Sequence, residues 1–305
     1  MLNIKNLLDI ESLTKDDILN ILKKSQEIKQ EILKGNNKFD TLQGKSVATL
    51  FYENSTRTKN SFENAVKFLG GNVTSVDVER SSVQKGESLI DTAITLKQIG
   101  TDALIIRHSI AGTPYLLSQK LDIPIVNAGD GLHAHPTQAL LDAMTIAEYK
   151  KLEKIKVLII GDIKHSRVAM SQIALFKKFG AQVGIVGPNT LMPYAKESLG
   201  VTIYQNLKEG LENTDVVSTL RIQFERQGSL FPSLKEYTSQ YQINEQTIRY
   251  AKKDCIIIHP GPVNEGIELA SSMVRNNQYS KIDEQVQNGL CVRMAILGIL
   301  LGGKQ

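Results

Sequence analysis

The sequence predicts an α/β protein built from two doubly wound domains, each with a central parallel sheet flanked by helices. Apolar segments of strand length alternate with segments of helical periodicity along most of the chain. The strand segments are almost continuously apolar, which is typical of parallel sheets covered by helices on both faces. The chain has 305 residues, which is enough for two domains of about 150 residues each.

The N-terminal half of the chain contains four of the predicted strands. Residues 47–52 form an apolar, β-branched run, and the helix that follows ends at Gly70 and Gly71. Four apolar residues at helical spacing mark the buried face of that helix: Phe62, Ala65, Val66 and Leu69. A second helix is predicted at 88–99, and a third begins at Pro136, because proline is favoured in the first helical turn. The remaining strands of this half are predicted at 72–78, 103–108 and 123–129.

The C-terminal half continues the alternation after a charged segment, residues 148–154, which marks the domain boundary. The elements predicted in this half are strands at 154–162, 181–188, 215–221 and 255–261 and a final helix at 284–301. We expect one domain over residues 1–148, completed by the C-terminal helix at 285–305, and a second domain over residues 149–284.

Composition and charge argue against several classes of protein. The formal net charge is only +4 and no basic block occurs, so nucleic acid is not an expected partner. The N-terminal segment carries acidic residues throughout and shows no signal-peptide cleavage site, and no run of about 18 apolar residues occurs, so no membrane association is expected. We therefore expect a cytoplasmic protein. Cys255 and Cys291 lie in apolar stretches and are predicted to be buried free thiols.

Polar clusters follow five of the predicted strands, at the edge where parallel sheets bind their ligands. The clusters are ENSTRT at 53–58, RH at 107–108, GDIKHSR at 161–167, RIQFER at 221–226 and HPGPVNEG at 259–266. Scattered surface polar residues would not concentrate at strand ends. We therefore expect the active site at these ends, in the cleft between the two domains.

The ENSTRT cluster places three hydroxyl groups and an arginine where a strand becomes a helix. Backbone N–H groups at a helix N-terminus and the guanidinium of Arg57 both suit a phosphate. An ordinary helix cap with Arg57 in solvent explains the same residues equally well.

Motifs for a nucleotide cofactor or a metal are missing from the sequence. No P-loop occurs, and the segment around Gly161 lacks the other glycines of a dinucleotide-binding fingerprint. The pair of His133 and His135 lacks a third metal ligand at suitable spacing. Neither a cofactor nor a metal is predicted.

Three arginines, Arg107, Arg167 and Arg221, each follow an apolar strand. Pairing with a nearby acid explains any one of them, but three together favour carboxylate or phosphate ligands.

The polar loop around Lys85 is either an ordinary solvated turn or a mobile loop beside a site. No catalytic triad or activated cysteine is evident, so we expect catalysis by positioning and charge stabilisation of two anionic substrates.

Taken in order and spacing, several of these motifs resemble the catalytic chains of aspartate carbamoyltransferases, in the aspartate/ornithine carbamoyltransferase superfamily. The resemblance extends from about residue 42 to the C-terminal helix and rests on FYENSTRTKNSFE, SSVQKGESLIDT, IIRH, HPTQALLD, GDIKHSRVA, RIQFER and HPGPVNEG. STRT with HPTQ marks the superfamily. GDIKHSR, RIQFER and HPGP indicate the aspartate branch.

By this resemblance the chain transfers the carbamoyl group of carbamoyl phosphate to L-aspartate, an early step of de novo pyrimidine biosynthesis. The carbamoyl phosphate ligands implied are Ser55, Thr56, Arg57, Thr58, Ser81, Arg107, His135, Gln138, Gly261 and Pro262. The aspartate ligands implied are Lys85, Arg167, Arg221 and Gln223. The catalytic residues implied are Arg57, Thr58, Lys85, Arg107 and His135, of which Thr58, Arg107 and His135 polarise the carbonyl group.

The resemblance also implies a homotrimer whose active sites are shared, because the loop with Ser81 and Lys85 reaches a neighbouring subunit in the family. Glu53 is implied to join Arg167 and Arg226 when the domains close. Regulatory chains or a dihydroorotase are the further partners that the family allows. The chain departs from commoner relatives at two positions, Glu265 and Ser109. Neither is a substrate ligand, so only the kinetics are in question.

Two alternatives stay open at this point. The first is a carbamoyltransferase for ornithine or another amine, which Arg167 and Arg221 disfavour because they would repel a cationic acceptor. The second is a non-catalytic anion-binding relative, which the presence of Arg57 and His135 disfavours.

Overall fold

The computed structural model describes residues 4–77, 86–222, 233–276 and 278–302. The chain divides into two compact units: unit 1 comprises residues 1–144 and 287–305, and unit 2 comprises residues 145–286. The domain limits predicted from the sequence, at residues 148 and 284, stay a prediction.

Unit 1 is an α/β unit around a four-stranded parallel sheet with the strand order β2-β1-β3-β4. Its strands are β1 (Ser46–Phe51), β2 (Asn72–Val76), β3 (Ala103–His108) and β4 (Ile125–Asp130). Its helices are α1 (Lys15–Leu33), α2 (Thr56–Phe68), α3 (Leu89–Gln98), α4 (Thr113–Lys120), α5 (Pro136–Ala147) and the later part of α10 (Ile282–Leu301). This arrangement confirms the predicted parallel sheet.

The two edges of this sheet differ in how they are covered. The edge strand β2 has exposed or partly exposed side chains throughout, whereas the sequence predicts strands buried on both faces. A helix layer does not cover an edge strand as fully as it covers a central one such as β1, whose side chains are nearly all buried. The other edge, β4, is extended by the segment around Leu7, whose backbone N–H donates to Ile125 O at 2.9 Å and whose carbonyl accepts from Asn127 N at 2.8 Å.

Unit 2 is built around a five-stranded parallel sheet with the strand order β7-β6-β5-β8-β9. Its strands are β5 (Lys156–Ile160), β6 (Gln182–Val186), β7 (Thr202–Ile203), β8 (Val216–Thr219) and β9 (Ile256–Ile258). Its helices are α6 (Arg167–Lys178), α7 (Leu207–Leu211), α8 (Leu234–Tyr241) and α9 (Ser271–Val274), with short 3₁₀ turns at Asn189–Leu191, Lys196–Leu199 and Thr247–Tyr250. The short strand β7 carries too weak an apolar pattern for the sequence to reveal it.

Each sheet has one point where the strand order reverses, and ligands bind preferentially at such points. In unit 1 the chain passes from β1 outward to β2 and then returns to β3 on the other side, so the switch point lies between β1 and β3. In unit 2 the corresponding point lies between β5 and β8. The polar clusters at 53–58 and 107–108 flank the first switch point, and those at 161–167 and 221–226 begin at the second.

Both cysteines are buried and free, as predicted. Burial raises the pKa of the Cys255 thiol to about 12, so it is protonated and unreactive at neutral pH. No helix in the described part of the chain is long and apolar enough to cross a membrane.

Candidate active site

The ENSTRT segment forms the junction between β1 and α2, and Ser55 occupies the N-cap position of α2. The Ser55 side chain makes no capping hydrogen bond, and its Oγ instead accepts from Arg107 Nη1 at 3.0 Å. The structure therefore contradicts the ordinary-cap alternative for Ser55. The helix α2 therefore begins without a hydrogen bond from its N-cap side chain, and at this end Thr56 and Arg57 are exposed and Thr58 is buried.

Arg107 lies at the end of β3, in register with Phe51 of β1, which places its side chain beside the start of α2. Its Nε donates to Glu53 Oε2 at 3.1 Å in a pair whose two side chains are each only 17% exposed. Together with the Ser55 contact, this fixes the guanidinium at the unit 1 switch point. The closure role predicted for Glu53 stays a prediction, and its partner Arg226 lies outside the described residues.

His135 and Gln138 lie at the start of α5 and are both buried. Gln138 Nε2 donates to Asp142 Oδ1 at 2.8 Å, one turn further along the helix, so the orientation of the amide is fixed. His135 directly precedes Pro136, the first residue of the helix. Both residues were implied as carbamoyl phosphate ligands by the family resemblance, and that role stays a prediction.

A second buried arginine lies behind this site and was not singled out from the sequence. Arg293 of α10 donates from Nη1 to Ser61 Oγ at 3.0 Å, and its guanidinium carbon lies 5.1 Å from the centre of the Phe62 ring. Burial, followed by the nearby charge of Arg107, lowers the pKa of Arg293 to about 10. The carboxylate of Asp142 acts on Arg293 in the opposite direction, and Glu53 pairs with Arg107, so each of these two buried or partly buried guanidinium groups has an acid nearby. The sequence does not reveal a role for Arg293, because it lies within an apolar helix, 232 residues after the serine of α2 that it contacts.

In unit 2, Arg167 and Arg221 lie on the two sides of the switch point between β5 and β8. The paired strand ends are Ile160 and Thr219. Arg167 is the first residue of α6 and only 5% exposed, whereas Arg221 is partly buried just beyond β8. Ser166 caps α6 by accepting from Ala169 N at 3.1 Å, a side-chain hydrogen bond that the N-cap residue of α2 does not make. A buried arginine at a ligand-binding edge is suited to bind a carboxylate.

The loop of residues 259–266 is held by a buried pair, His259 and Glu268. His259 Nδ1 accepts from Gly261 N at 2.8 Å, so its other ring nitrogen, Nε2, carries the proton and donates to Glu268 Oε1 at 3.2 Å. The same Glu268 oxygen accepts from Asn264 N at 2.6 Å. These contacts fix the backbone around Gly261 and Pro262, which a cis peptide bond joins.

Asn264 links this loop to the segment that follows β8, at the residue directly after Arg221. Its Nδ2 donates to the carbonyl oxygen of Ile222 at 3.2 Å. Glu268 was not predicted from the sequence, in which the only indication of its role is an acidic residue within an otherwise apolar stretch.

The two positions at which the chain departs from its commoner relatives, Glu265 and Ser109, are both exposed. Neither side chain therefore disturbs the buried contacts of the loop. Four further predicted residues lie outside the described part of the chain: Ser81, Lys85, Gln223 and Arg226.

Comparisons with protein-family models match both parts of the chain. Residues 5–148 match the model of the aspartate/ornithine carbamoyltransferase carbamoyl-P binding domain. Residues 153–300 match the model of the aspartate/ornithine carbamoyltransferase Asp/Orn binding domain.

Individual relatives are similar over nearly the full length. A protein of Acetivibrio thermocellus named aspartate carbamoyltransferase catalytic subunit is 50% identical over 302 residues, which cover 98% of this chain and 96% of the relative. The structure of aspartate transcarbamoylase from Trypanosoma cruzi with carbamoyl phosphate and aspartate superposes with a TM-score of 0.88 at 33% identity, covering 97% of each chain. An ornithine carbamoyltransferase from Pyrococcus furiosus gives a TM-score of 0.87 at 26% identity, covering 99% of this chain and 98% of that one.

Proposed function

The chain belongs to the aspartate/ornithine carbamoyltransferase family, and on that premise we infer that it is an aspartate carbamoyltransferase. It transfers the carbamoyl group of carbamoyl phosphate to the amine of L-aspartate, giving N-carbamoyl-L-aspartate and phosphate in pyrimidine biosynthesis. The observation that carries this inference is 50% identity, over 98% of the chain, to a protein named aspartate carbamoyltransferase catalytic subunit. The residues assigned below to each step are proposals that rest on the geometry of each unit.

In unit 1, we assign the open start of α2 to the phosphate of carbamoyl phosphate. The backbone N–H groups at this helix N-terminus and the exposed Arg57 offer several donors to a dianion, together with the hydroxyl groups of Ser55, Thr56 and Thr58. Arg107 is already fixed by Glu53 and Ser55, so it can bind the anion without losing side-chain freedom at that moment.

The carbonyl oxygen of carbamoyl phosphate becomes an oxyanion when the aspartate amine attacks the carbonyl carbon. The carbonyl group forms again as the C–O bond to phosphate breaks, and the phosphate leaves with the proton that the amine gives up. We assign stabilisation of this charge to His135, Arg107 and Thr58, and a hydrogen bond to the carbamoyl end to Gln138. Donors that are held in place before the reaction stabilise a developing charge without reorganising. The backbone of Gly261 and Pro262 is also assigned to carbamoyl phosphate, and the His259–Glu268 contact keeps that backbone in shape.

In unit 2, we assign the two carboxylates of L-aspartate to Arg167 and Arg221. Arg167 and Arg221 follow the carboxyl ends of the two strands that flank the switch point, β5 and β8. Each guanidinium group can form two parallel hydrogen bonds to a carboxylate. The further aspartate contacts assigned to Lys85 and Gln223 rest on the family resemblance.

The acceptor preference tests this assignment directly. We expect phosphate release from carbamoyl phosphate with L-aspartate and at least about a hundredfold less with L-ornithine, because two arginines repel a cationic acceptor and leave its charge unpaired. Turnover can be followed by coupled phosphate detection. A bisubstrate analogue that joins a phosphonate to an aspartate-like dicarboxylate should inhibit. The reverse preference would support the ornithine alternative and contradict the assignment of Arg167 and Arg221.

We propose that the chain works as a homotrimer whose neighbouring subunits share active sites. The large apolar side chains exposed on α3 and α4 are compatible with a subunit interface in unit 1; they are Ile94, Tyr115 and Leu116. The substrates are small molecules, and regulatory chains or a dihydroorotase are the further partners that the family allows.

Subunit mixing tests whether active sites are shared. Lys85→Ala and His135→Ala chains are each expected to be inactive alone. After exchange in a 1:1 mixture we expect up to about a quarter of wild-type activity, because half of the sites keep His135 and half of their neighbours supply Lys85. Mixing Arg57→Ala with His135→Ala chains is the matched control, since both side chains belong to one subunit's own site and no intact site can form. Equal results in both mixtures, after verified exchange, would contradict sharing through Lys85.

A further inference from the structure

The same five-residue pattern, Gly-Asp-x-x-His, occurs at one strand end in each unit, and each copy precedes a proposed site residue. In unit 1 the turn is Gly129-Asp130-Gly131-Leu132-His133, at the end of β4. In unit 2 it is Gly161-Asp162-Ile163-Lys164-His165, directly after β5. We call these segments turn A and turn B. The site residue follows two positions after the histidine in both cases, and it is His135 after turn A and Arg167 after turn B.

The two turns share the backbone conformation of their first glycine and their central contact between aspartate and histidine. Gly129 has φ of 120° and Gly161 has φ of 118°, values that disfavour any side chain. The aspartate that follows is only 1% exposed in each turn. The histidine three residues later faces this buried carboxylate through Nδ1, with the shorter contact at 3.0 Å in turn A and at 2.9 Å in turn B.

In turn A, the carboxylate of Asp130 gathers donors from several parts of unit 1. Besides His133, it accepts from Asn127 Nδ2 at 2.8 Å, Gly112 N at 2.8 Å and Ala134 N at 3.1 Å. These contacts join the end of β4, the start of α4 and the residue directly before His135. The backbone directly before His135 is therefore held by a buried carboxylate to which His133 contributes one hydrogen bond.

In turn B, the Asp162 carboxylate accepts hydrogen bonds from His165, three positions further along the chain. It accepts from both the backbone N–H and the Nδ1 of His165, at 3.1 Å and 2.9 Å. Ser166 follows and caps α6, whose first residue is Arg167. A side chain at Gly161 would be strained, because its φ of 118° disfavours one and a Cβ would lie 2.9 Å from the Tyr237 hydroxyl. The chain between the strand and Arg167 thus has little freedom.

We propose that His133 and His165 are positioning residues, each acting through its aspartate on a different substrate: His133 on carbamoyl phosphate through His135, and His165 on L-aspartate through Arg167. Neither histidine touches a substrate in this scheme. The roles differ because the two turns belong to different units. This inference rests on the proposed function.

The experiment compares alanine and asparagine at both positions in the full-length protein. Asparagine keeps a side-chain N–H near the place of Nδ1, whereas alanine removes it. We expect His165→Ala to raise the KM for aspartate about tenfold and leave the dissociation constant of carbamoyl phosphate, measured by equilibrium dialysis, within about twofold. His133→Ala should weaken carbamoyl phosphate binding and lower kcat, each about tenfold, with the KM for aspartate within about twofold. Each asparagine variant should recover to within about threefold of the wild type.

A purely structural role would produce a different pattern. Alanine variants that impair both substrates equally, or that leave both unchanged, would overturn the proposal, and so would asparagine variants no better than alanine. If an alanine variant fails to fold by circular dichroism, Asp162→Asn or Asp130→Asn replaces it and must show the same substrate selectivity. An inactive wild type would refute the proposed function, whereas an active wild type with unaffected variants would refute only the role of the two turns.

Discussion

Replacing Arg57 with alanine is expected to lower kcat by at least about a hundredfold, because removing one donor from a preorganised anion site commonly has an effect of this size. Arg57 lies in the first turn of α2, where the helix end is uncapped and the side chain is exposed. An exposed arginine contributes little to folding, so the loss should appear in turnover and not in thermal stability. Steady-state phosphate release and the midpoint of thermal unfolding, measured on the same preparation, separate the two effects.

Lys67→Ala is the matched control for this prediction. Lys67 is also an exposed cation on α2, but it belongs to the last turn of the helix. We expect the rate of Lys67→Ala to stay within about twofold of the wild type, since surface substitutions away from a site have small effects. Wild-type turnover in Arg57→Ala would leave the start of α2 without a role in binding and would contradict its assignment to phosphate.

Replacing Arg167 with alanine should reduce kcat/KM for L-aspartate by roughly a hundredfold, because the substrate carboxylate would lose its charged partner while being desolvated. Arg167 is buried at the start of α6, so its side chain has little freedom to move. A flexible cationic side chain on the surface could not take over its contact with the substrate. Carbamoyl phosphate binding is assigned to other residues. Its dissociation constant, measured by equilibrium dialysis, should therefore stay within about threefold of the wild type.

Arg167→Lys provides a second variant that keeps the charge and loses the planar fork, and we expect it to lie between the wild type and alanine. Arg249→Ala, an exposed arginine in a 3₁₀ turn of unit 2, controls for the loss of a positive charge. An unchanged KM for aspartate in Arg167→Ala, or an equal loss in Arg249→Ala, would contradict a direct carboxylate contact.

The elements best predicted from the sequence were those with strong local patterns. The apolar runs that became β1, β3, β5 and β8 were located to within two residues at each end, and α3 was predicted at 88–99 and found at Leu89–Gln98. Strand β2 was predicted as buried but lies at an edge, and no local signal distinguishes an edge strand from a central one. Glu268 and Arg293 were missed because their importance depends on contacts with residues that local patterns do not connect to them.

The sequence by itself determined the alternation of strands and helices, the polar clusters at the strand ends and the family, because each depends on residue types at short spacing. Only the tertiary structure decided which of these polar groups contact one another. It showed that Ser55 accepts from Arg107 instead of capping α2, that Glu53 pairs with the same arginine, and that Arg167 and Arg221 follow neighbouring strands. These contacts join positions as much as 54 residues apart, so they depend on strand order, which no local pattern of residues encodes.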